Sequence, residues 1–145
     1  MNADSKIVRS LDELRAFAFD IAKDIEPGTI LLLEGEMGSG KTQFTTYLVE
    51  ALGGNETASP SFAIHNSYAV ARGTVEHFDL FRVDDVDDLE STGFWDVFEI
   101  ESCVVIEWSE RLAGFGVMHQ LPHTWRKKTL RFTIESDGSR VVRRS

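Results

Sequence analysis

Apolar positions recur at helical spacing in some stretches of this chain and crowd into short unbroken runs in others, and the two patterns predict its elements. From Ser10 to Ile25, the side chains of Leu14, Phe17, Ile21 and Ile25 fall on one helical face. Ser10 and Glu13 have capping-box spacing at its start, and Glu26, Pro27 and Gly28 close it. Thr29 to Glu34 (TILLLE) is a continuous apolar run, the pattern of a strand buried on both faces. Lys41 to Leu52 returns to helical spacing with Phe44, Tyr47, Leu48 and Leu52, and Gly53 and Gly54 suit its C-terminus.

Asn55 to Phe62 is polar, with Pro60 inside it, and Ala63 to Val70 is a candidate strand. A turn at Arg72 and Gly73 leads into Thr74 to Asp79, where Val75 and His77 alternate with Glu76 and Phe78. That alternation predicts an antiparallel hairpin partner rather than a strand buried on both faces. Asp84 to Glu90 predicts a short helix with a wetted acidic face, and a second short helix is expected around Phe94 to Phe98. Cys103 to Ile106 has the pattern of a buried strand that delivers Glu107 at its carboxyl end. Gly114 to Lys128 has no usable pattern. Thr129 to Ile134 and Arg140 to Arg143 flank Asp137 and Gly138, a hairpin signal. The expected class is α/β, with a mixed, mainly parallel central sheet and a C-terminal hairpin.

At 145 residues the chain is expected to form one domain. Its formal net charge of −9 argues against gripping a nucleic-acid backbone directly. The charge is uneven: from Trp125 onward seven Lys or Arg face two acids, about +5, which leaves −14 for the first 124 residues. Cys103 is the single cysteine and cannot form an internal disulfide, which fits a reducing cytoplasm. The N-terminus does not resemble a signal peptide and no apolar run approaches membrane-spanning length, so a cytoplasmic protein without a membrane partner is expected.

The chemistry centres on GEMGSGKT, Gly35 to Thr42, which fits the phosphate-binding pattern GxxxxGK[ST]. Glycines let successive backbone N–H groups point into one concavity and let a phosphate approach closely. Lys41 adds a positive charge at the β/γ-phosphates, and the Thr42 hydroxyl is a ligand for Mg²⁺. The loop lies between an expected strand and an expected helix, the context that supports the motif. Gly35, Gly38, Ser39, Gly40, Lys41, Thr42 and Gln43 are therefore the candidate residues for ATP or ADP.

Such a loop needs a second acid at the end of a nearby strand, to hold the metal or orient the attacking water. Two candidates compete, Asp79 and Glu107. Glu107 follows the apolar run typical of a central parallel strand and is assigned to the metal with Thr42; Asp79 is the candidate for positioning or deprotonating water. Lys41, Asp79 and Glu107 form the candidate catalytic set. His77 reads as structural ahead of functional, and Arg82 as a salt-bridge partner of nearby acids ahead of a contact to the γ-phosphate. Trp108 is either a wall of the nucleotide site or core.

GEMGSGKT, SPSF (Ser59 to Phe62), HFDLFR (His77 to Arg82) and IEW (Ile106 to Trp108), in this order and spacing, closely resemble the TsaE (YjeE) family, over nearly the whole chain. Ser61 stands where Thr is usual in that family and Phe81 where Tyr is common. The resemblance implies a three-layer P-loop NTPase fold and a Mg-dependent ATPase that is weak alone. It implies work in tRNA threonylcarbamoyladenosine biosynthesis, bound to a TsaB and TsaD heterodimer and meeting tRNA only through that complex. Hydrolysis would reset the complex, with group transfer left to TsaD. It also implies that Asp79 matches the candidate catalytic aspartate and SPSF a switch-like segment. Two rival readings are a small-molecule P-loop kinase and a nucleotide-dependent binding module without useful hydrolysis.

Overall fold

Thr29–Glu34 (β2) lies at the centre of a seven-stranded sheet, with Ile30, Leu31 and Leu33 completely buried, as its apolar run requires. The computed structural model describes residues 4–55 and 64–145. The predicted segment SPSF lies outside the described residues. The other strands are Ser5–Val8 (β1), His65–Ala69 (β3), Thr74–Asp79 (β4), Ser102–Glu107 (β5), Arg126–Ile134 (β6) and Arg140–Arg144 (β7). They stand in the order β1-β7-β6-β2-β5-β4-β3. The four central strands β6, β2, β5 and β4 run parallel, and β1, β7 and β3 pair antiparallel at the edges.

Two helices cover one face of the sheet. Leu11–Ala22 (α1) starts where its cap predicts: the Glu13 N–H donates to Ser10 Oγ at 3.1 Å. The reciprocal bond of the capping box shifts by one residue, because Glu13 Oε1 accepts from the Arg9 N–H at 2.9 Å. Lys41–Ala51 (α2) packs against α1, and Phe44 bridges Phe17 and Phe132 at ring distances of 5.8 and 5.7 Å. Each fully buried Leu or Phe in this layer contributes roughly 1.5–3 kcal/mol relative to exposure.

The other face of β2, β5 and β4 is covered by Val86–Ser91 (α3), Glu110–Gly114 (α4) and a 3-10 helix at Phe94–Glu99, through Leu89, Phe94, Val97 and Leu112. Helices on both faces of a sheet with a parallel centre make the three-layer α/β architecture. Among the described residues no helix is long and apolar enough to cross a membrane. Cys103 packs inside β5, and burial pushes its thiol up to about 12, so it is an inert core residue.

The alternation in Thr74 to Asp79 misled in one respect. β4 does pair antiparallel with β3, but it also pairs parallel with β5, and Val75, Glu76, His77 and Phe78 are all buried. The polar members are tolerated because each has partners. Glu76 accepts from Ser67 Oγ and Thr74 Oγ1 at 2.6 Å and from His65 Nε2 at 2.7 Å. Burial pushes the Glu76 carboxyl upward, but these donors outweigh it and hold the group below its ordinary value. The N-terminal residues Ser5–Val8, which carry no strand signal, add an edge strand to β7. Within the unassigned stretch, Met118–Gln120 forms a 3-10 turn and β6 begins at Arg126, three residues before its apolar pattern starts.

Candidate functional site

Parallel pairing of β2, β5 and β4 brings their carboxyl ends to one edge of the sheet, and three pieces of candidate chemistry meet there. β2 ends at Glu34 and leads into the Gly-rich loop, β5 ends at Glu107, and β4 ends at Asp79 directly beside Glu107 in register. The carboxyl ends of parallel strands are where open α/β sheets bind ligands.

The loop geometry depends on glycine. At Gly35 φ is +145°, and a Cβ would lie 2.6 Å from the Phe132 carbonyl oxygen and 2.9 Å from Ser39 Oγ. Gly40 has φ +109° and opens α2 with no side-chain cap, so the first-turn N–H groups of Lys41, Thr42 and Gln43 are left for another acceptor. The Ser39 hydroxyl is completely buried and has no hydrogen-bond partner among the described residues. A buried, unpaired donor beside uncapped helix N–H groups fits an anion in the loop.

Lys41 is 4% exposed, donates to the Gly35 carbonyl and lies over the Trp108 ring, 3.8 Å from its centroid. Burial lowers its pKa, and Glu107, Glu110 and Asp79 partly restore it. Trp108 is therefore a wall of the site as well as a neighbour of the core. Its φ of +58° makes it the one non-glycine residue with positive φ among the described residues, a strained backbone placed directly after Glu107. Phe81 adds a second aromatic at 5.0 Å from the Trp108 ring.

Glu107 is 2% exposed. The Thr42 hydroxyl lies 2.9 and 3.1 Å from its two oxygens, and His77 Nε2 donates to Oε2 at 2.6 Å. Thr42 and Glu107 thus meet as assigned. Among the described residues no three His, Cys, Asp or Glu converge into a metal cage. One carboxylate and one hydroxyl beside a phosphate cradle is the donor set that Mg²⁺ takes when phosphates complete its shell. Asp79 Oδ1 accepts from the Phe81 N–H at 3.0 Å and caps a 3-10 helix, Leu80–Arg82. Burial raises its pKa, with Glu107 acting in the same direction.

These residues line a cleft of about 690 Å³, a size that suits a nucleotide. Gly38, Gly40, Lys41, Thr42, Gln43, Asp79, Glu107 and Trp108 all border it, as does Arg82, which makes no ion pair among the described residues. Gly35 and Ser39 sit behind this wall and shape it. Three features escaped the sequence reading. Val8, Leu11 and Leu14 close the end of the cleft on the β1 side. Arg140, counted with the basic C-terminus, reaches the loop instead: its Nη2 donates to the Gly38 carbonyl at 2.9 Å, across 102 positions of sequence. His77 contacts Glu107, and the adjacency of HFD and IE on paired strands was the only signal for it. Arg143 and Arg144 lie exposed further along β7.

The family model described as "Threonylcarbamoyl adenosine biosynthesis protein TsaE" matches residues 8–144. The chain is similar to the tRNA threonylcarbamoyladenosine biosynthesis protein TsaE of Haemophilus influenzae, with 36% identity over 64% of this chain and 58% of that protein. It is likewise similar to the protein of that name from Rickettsia conorii, 30% identical over 71% of this chain and 59% of the relative. The match to the Aquifex aeolicus protein is 32% identical, over 72% and 76% of the two chains. The chain thus spans under two thirds of the length of the first two of these relatives. Among solved structures, Bacillus subtilis YdiB superposes with a TM-score of 0.69 and 25% identity, over 95% of this chain and 81% of that one. The fold is that of the P-loop NTPases, with a mixed central sheet and a C-terminal hairpin.

Proposed function

This chain belongs to the TsaE family, and we propose that it serves tRNA threonylcarbamoyladenosine biosynthesis as a cytoplasmic, single-domain Mg-dependent ATPase subunit. It binds and hydrolyses ATP within a complex with TsaB and TsaD, resetting that complex rather than transferring the threonylcarbamoyl group. It meets tRNA only through those partners, in keeping with a net charge of −9. The observation that carries the reading is the Thr42–Glu107 contact, which places a hydroxyl and a carboxylate together at the end of a phosphate-binding loop.

Each residue then has work to do. The loop, through Gly35, Gly38, Ser39 and Gly40, and the α2 N–H groups to Gln43 receive the phosphates, while Lys41 neutralises them once it is drawn from the Gly35 carbonyl. Thr42 and Glu107 hold Mg²⁺, which offsets the charge on the β- and γ-phosphates when bound. Asp79, made more basic by burial, accepts a hydrogen bond from the attacking water through Oδ2, since Oδ1 is engaged by Phe81. Trp108 walls the phosphate end, and Val8, Leu11 and Leu14 offer an apolar surface to the base.

The test is Mg²⁺-dependent ATP hydrolysis by the purified chain, alone and with the matching TsaB and TsaD pair. Slow turnover alone that rises strongly with the pair is expected. No hydrolysis in either case, or no response to the pair, overturns the reading.

A further inference from the structure

We propose that His77 is a positioning residue for Glu107, fixing which carboxylate oxygen faces the divalent cation; this rests on the reading of the cleft as a Mg-nucleotide site.

His77 is the fourth residue of β4 and stands opposite Val105 of β5, so its ring faces α2 together with Val75 and Asp79. Glu107 lies two residues further along β5 on the same face. The two side chains are 8% and 2% exposed, and the contact between them is 2.6 Å long. A carboxylate has only acceptors, so the imidazole Nε2–H is the donor.

The contact makes the two oxygens of Glu107 unequal. Oε2 is reached by both His77 and Thr42, at 2.6 and 3.1 Å, whereas Oε1 is reached by Thr42 alone, at 2.9 Å. The Thr42 hydroxyl has one proton to give. A lone pair of the hydroxyl can meet the cation while that one proton goes to a single carboxylate oxygen, so Oε2 stays held by His77 and Oε1 is the oxygen left to face the cation. The last torsion of a glutamate is broad and roughly two-fold, so nothing in Glu107 itself selects this orientation. Without the imidazole, the carboxylate can swing and present either oxygen. Partners that orient a metal-binding side chain typically account for about 10- to 100-fold in metal affinity.

Titration calorimetry of ADP, with and without MgCl₂, on the wild type, His77→Phe and His77→Gln tests this. Phe keeps a planar ring without the donor, and Gln carries an N–H at similar reach. In all three, ADP affinity without Mg²⁺ should be the same. The Mg²⁺ concentration that half-saturates the ADP complex should rise roughly 10- to 100-fold in His77→Phe. It should return to within a few-fold of wild type in His77→Gln. His77→Asn, whose shorter amide cannot reach Glu107, provides a second donor-lacking variant if the Phe ring unfolds the protein, and should match His77→Phe. A wild-type Mg²⁺ response in the donor-lacking variant overturns the proposal, as does equal impairment of the Gln variant, which would show a purely steric role. Wild-type protein that fails to bind ADP at any Mg²⁺ concentration would overturn the nucleotide reading itself.

Discussion

Lys41→Met should weaken nucleotide binding while leaving the unliganded fold nearly as stable as before, and the two effects come from the same burial. In the free protein the Lys41 ammonium is desolvated, with the Gly35 carbonyl, the Trp108 ring and the charges of Glu107, Glu110 and Asp79 as compensation. A carbonyl bond contributes roughly 0.5–1.5 kcal/mol and a desolvated cation–π contact up to about 2 kcal/mol. Against these stands the cost of burying the charge. A lysine whose folded pKa is lowered destabilises the fold most at pH below that pKa, and stability recovers as pH rises toward the unfolded value of 10.5. Methionine keeps the apolar stem, removes the penalty and regains about 0.3–1.5 kcal/mol against the Trp108 ring. The net change should lie within about 1 kcal/mol, or roughly 3 °C in melting temperature.

Binding responds differently, because the lost phosphate contact is charge-assisted and contributes about 1.5–3 kcal/mol, or roughly 10- to 150-fold in affinity. Thermal shift separates the two effects. ADP at 100 times the wild-type Kd should stabilise wild type by about 2.7 kcal/mol, roughly 8 °C. For a variant weakened about 35-fold, the same concentration gives about 0.8 kcal/mol, roughly 2 °C. A variant with the full ligand-induced shift would show that Lys41 does not touch the phosphates. An unliganded variant that melts more than about 10 °C early would show that the lysine holds the fold together.

Further outcomes follow from the same geometry. Gly35→Ala should cost about 2–5 kcal/mol, from positive φ together with a Cβ 2.6 Å from the Phe132 carbonyl, and urea denaturation with an unchanged midpoint would refute this. Asp79→Asn should stop turnover yet melt higher than wild type at neutral pH. A raised folded pKa means that stability falls as pH rises from the ordinary carboxylate value of 3.8 through the folded one, and Asn keeps the bond from Phe81 without that loss. The two melting curves should converge below pH 4, and a gap independent of pH would refute the assignment. Glu107→Ala should leave ADP affinity without Mg²⁺ within a few-fold of wild type while abolishing the metal's effect. Normal turnover in that variant would move the metal role to Asp79.

The local pattern of the chain was sufficient for α1, α2, β2, β5 and the phosphate loop, because each depends on neighbours within a few positions. TILLLE is apolar at consecutive positions, so both faces of its strand must be buried. Ser10 and Glu13 start a helix wherever the chain came from, and GEMGSGKT needs only its own backbone to form a concavity. The same holds for Glu107, which inherits its place at a strand end from the apolar run before it. Tertiary structure decided what depends on partners distant in sequence. The alternation in TVEHFD, taken alone, indicated a half-exposed strand. Burial of both its faces became possible only when His65 and Ser67 from β3 and Glu107 from β5 arrived as hydrogen-bond partners. β1 has no pattern of its own and exists because β7 offers an unpaired edge. Arg140 joined the site because β7 aims it at a carbonyl 102 positions away, and Trp108, packed against the core, is also a wall of the site with its backbone at a φ of +58°.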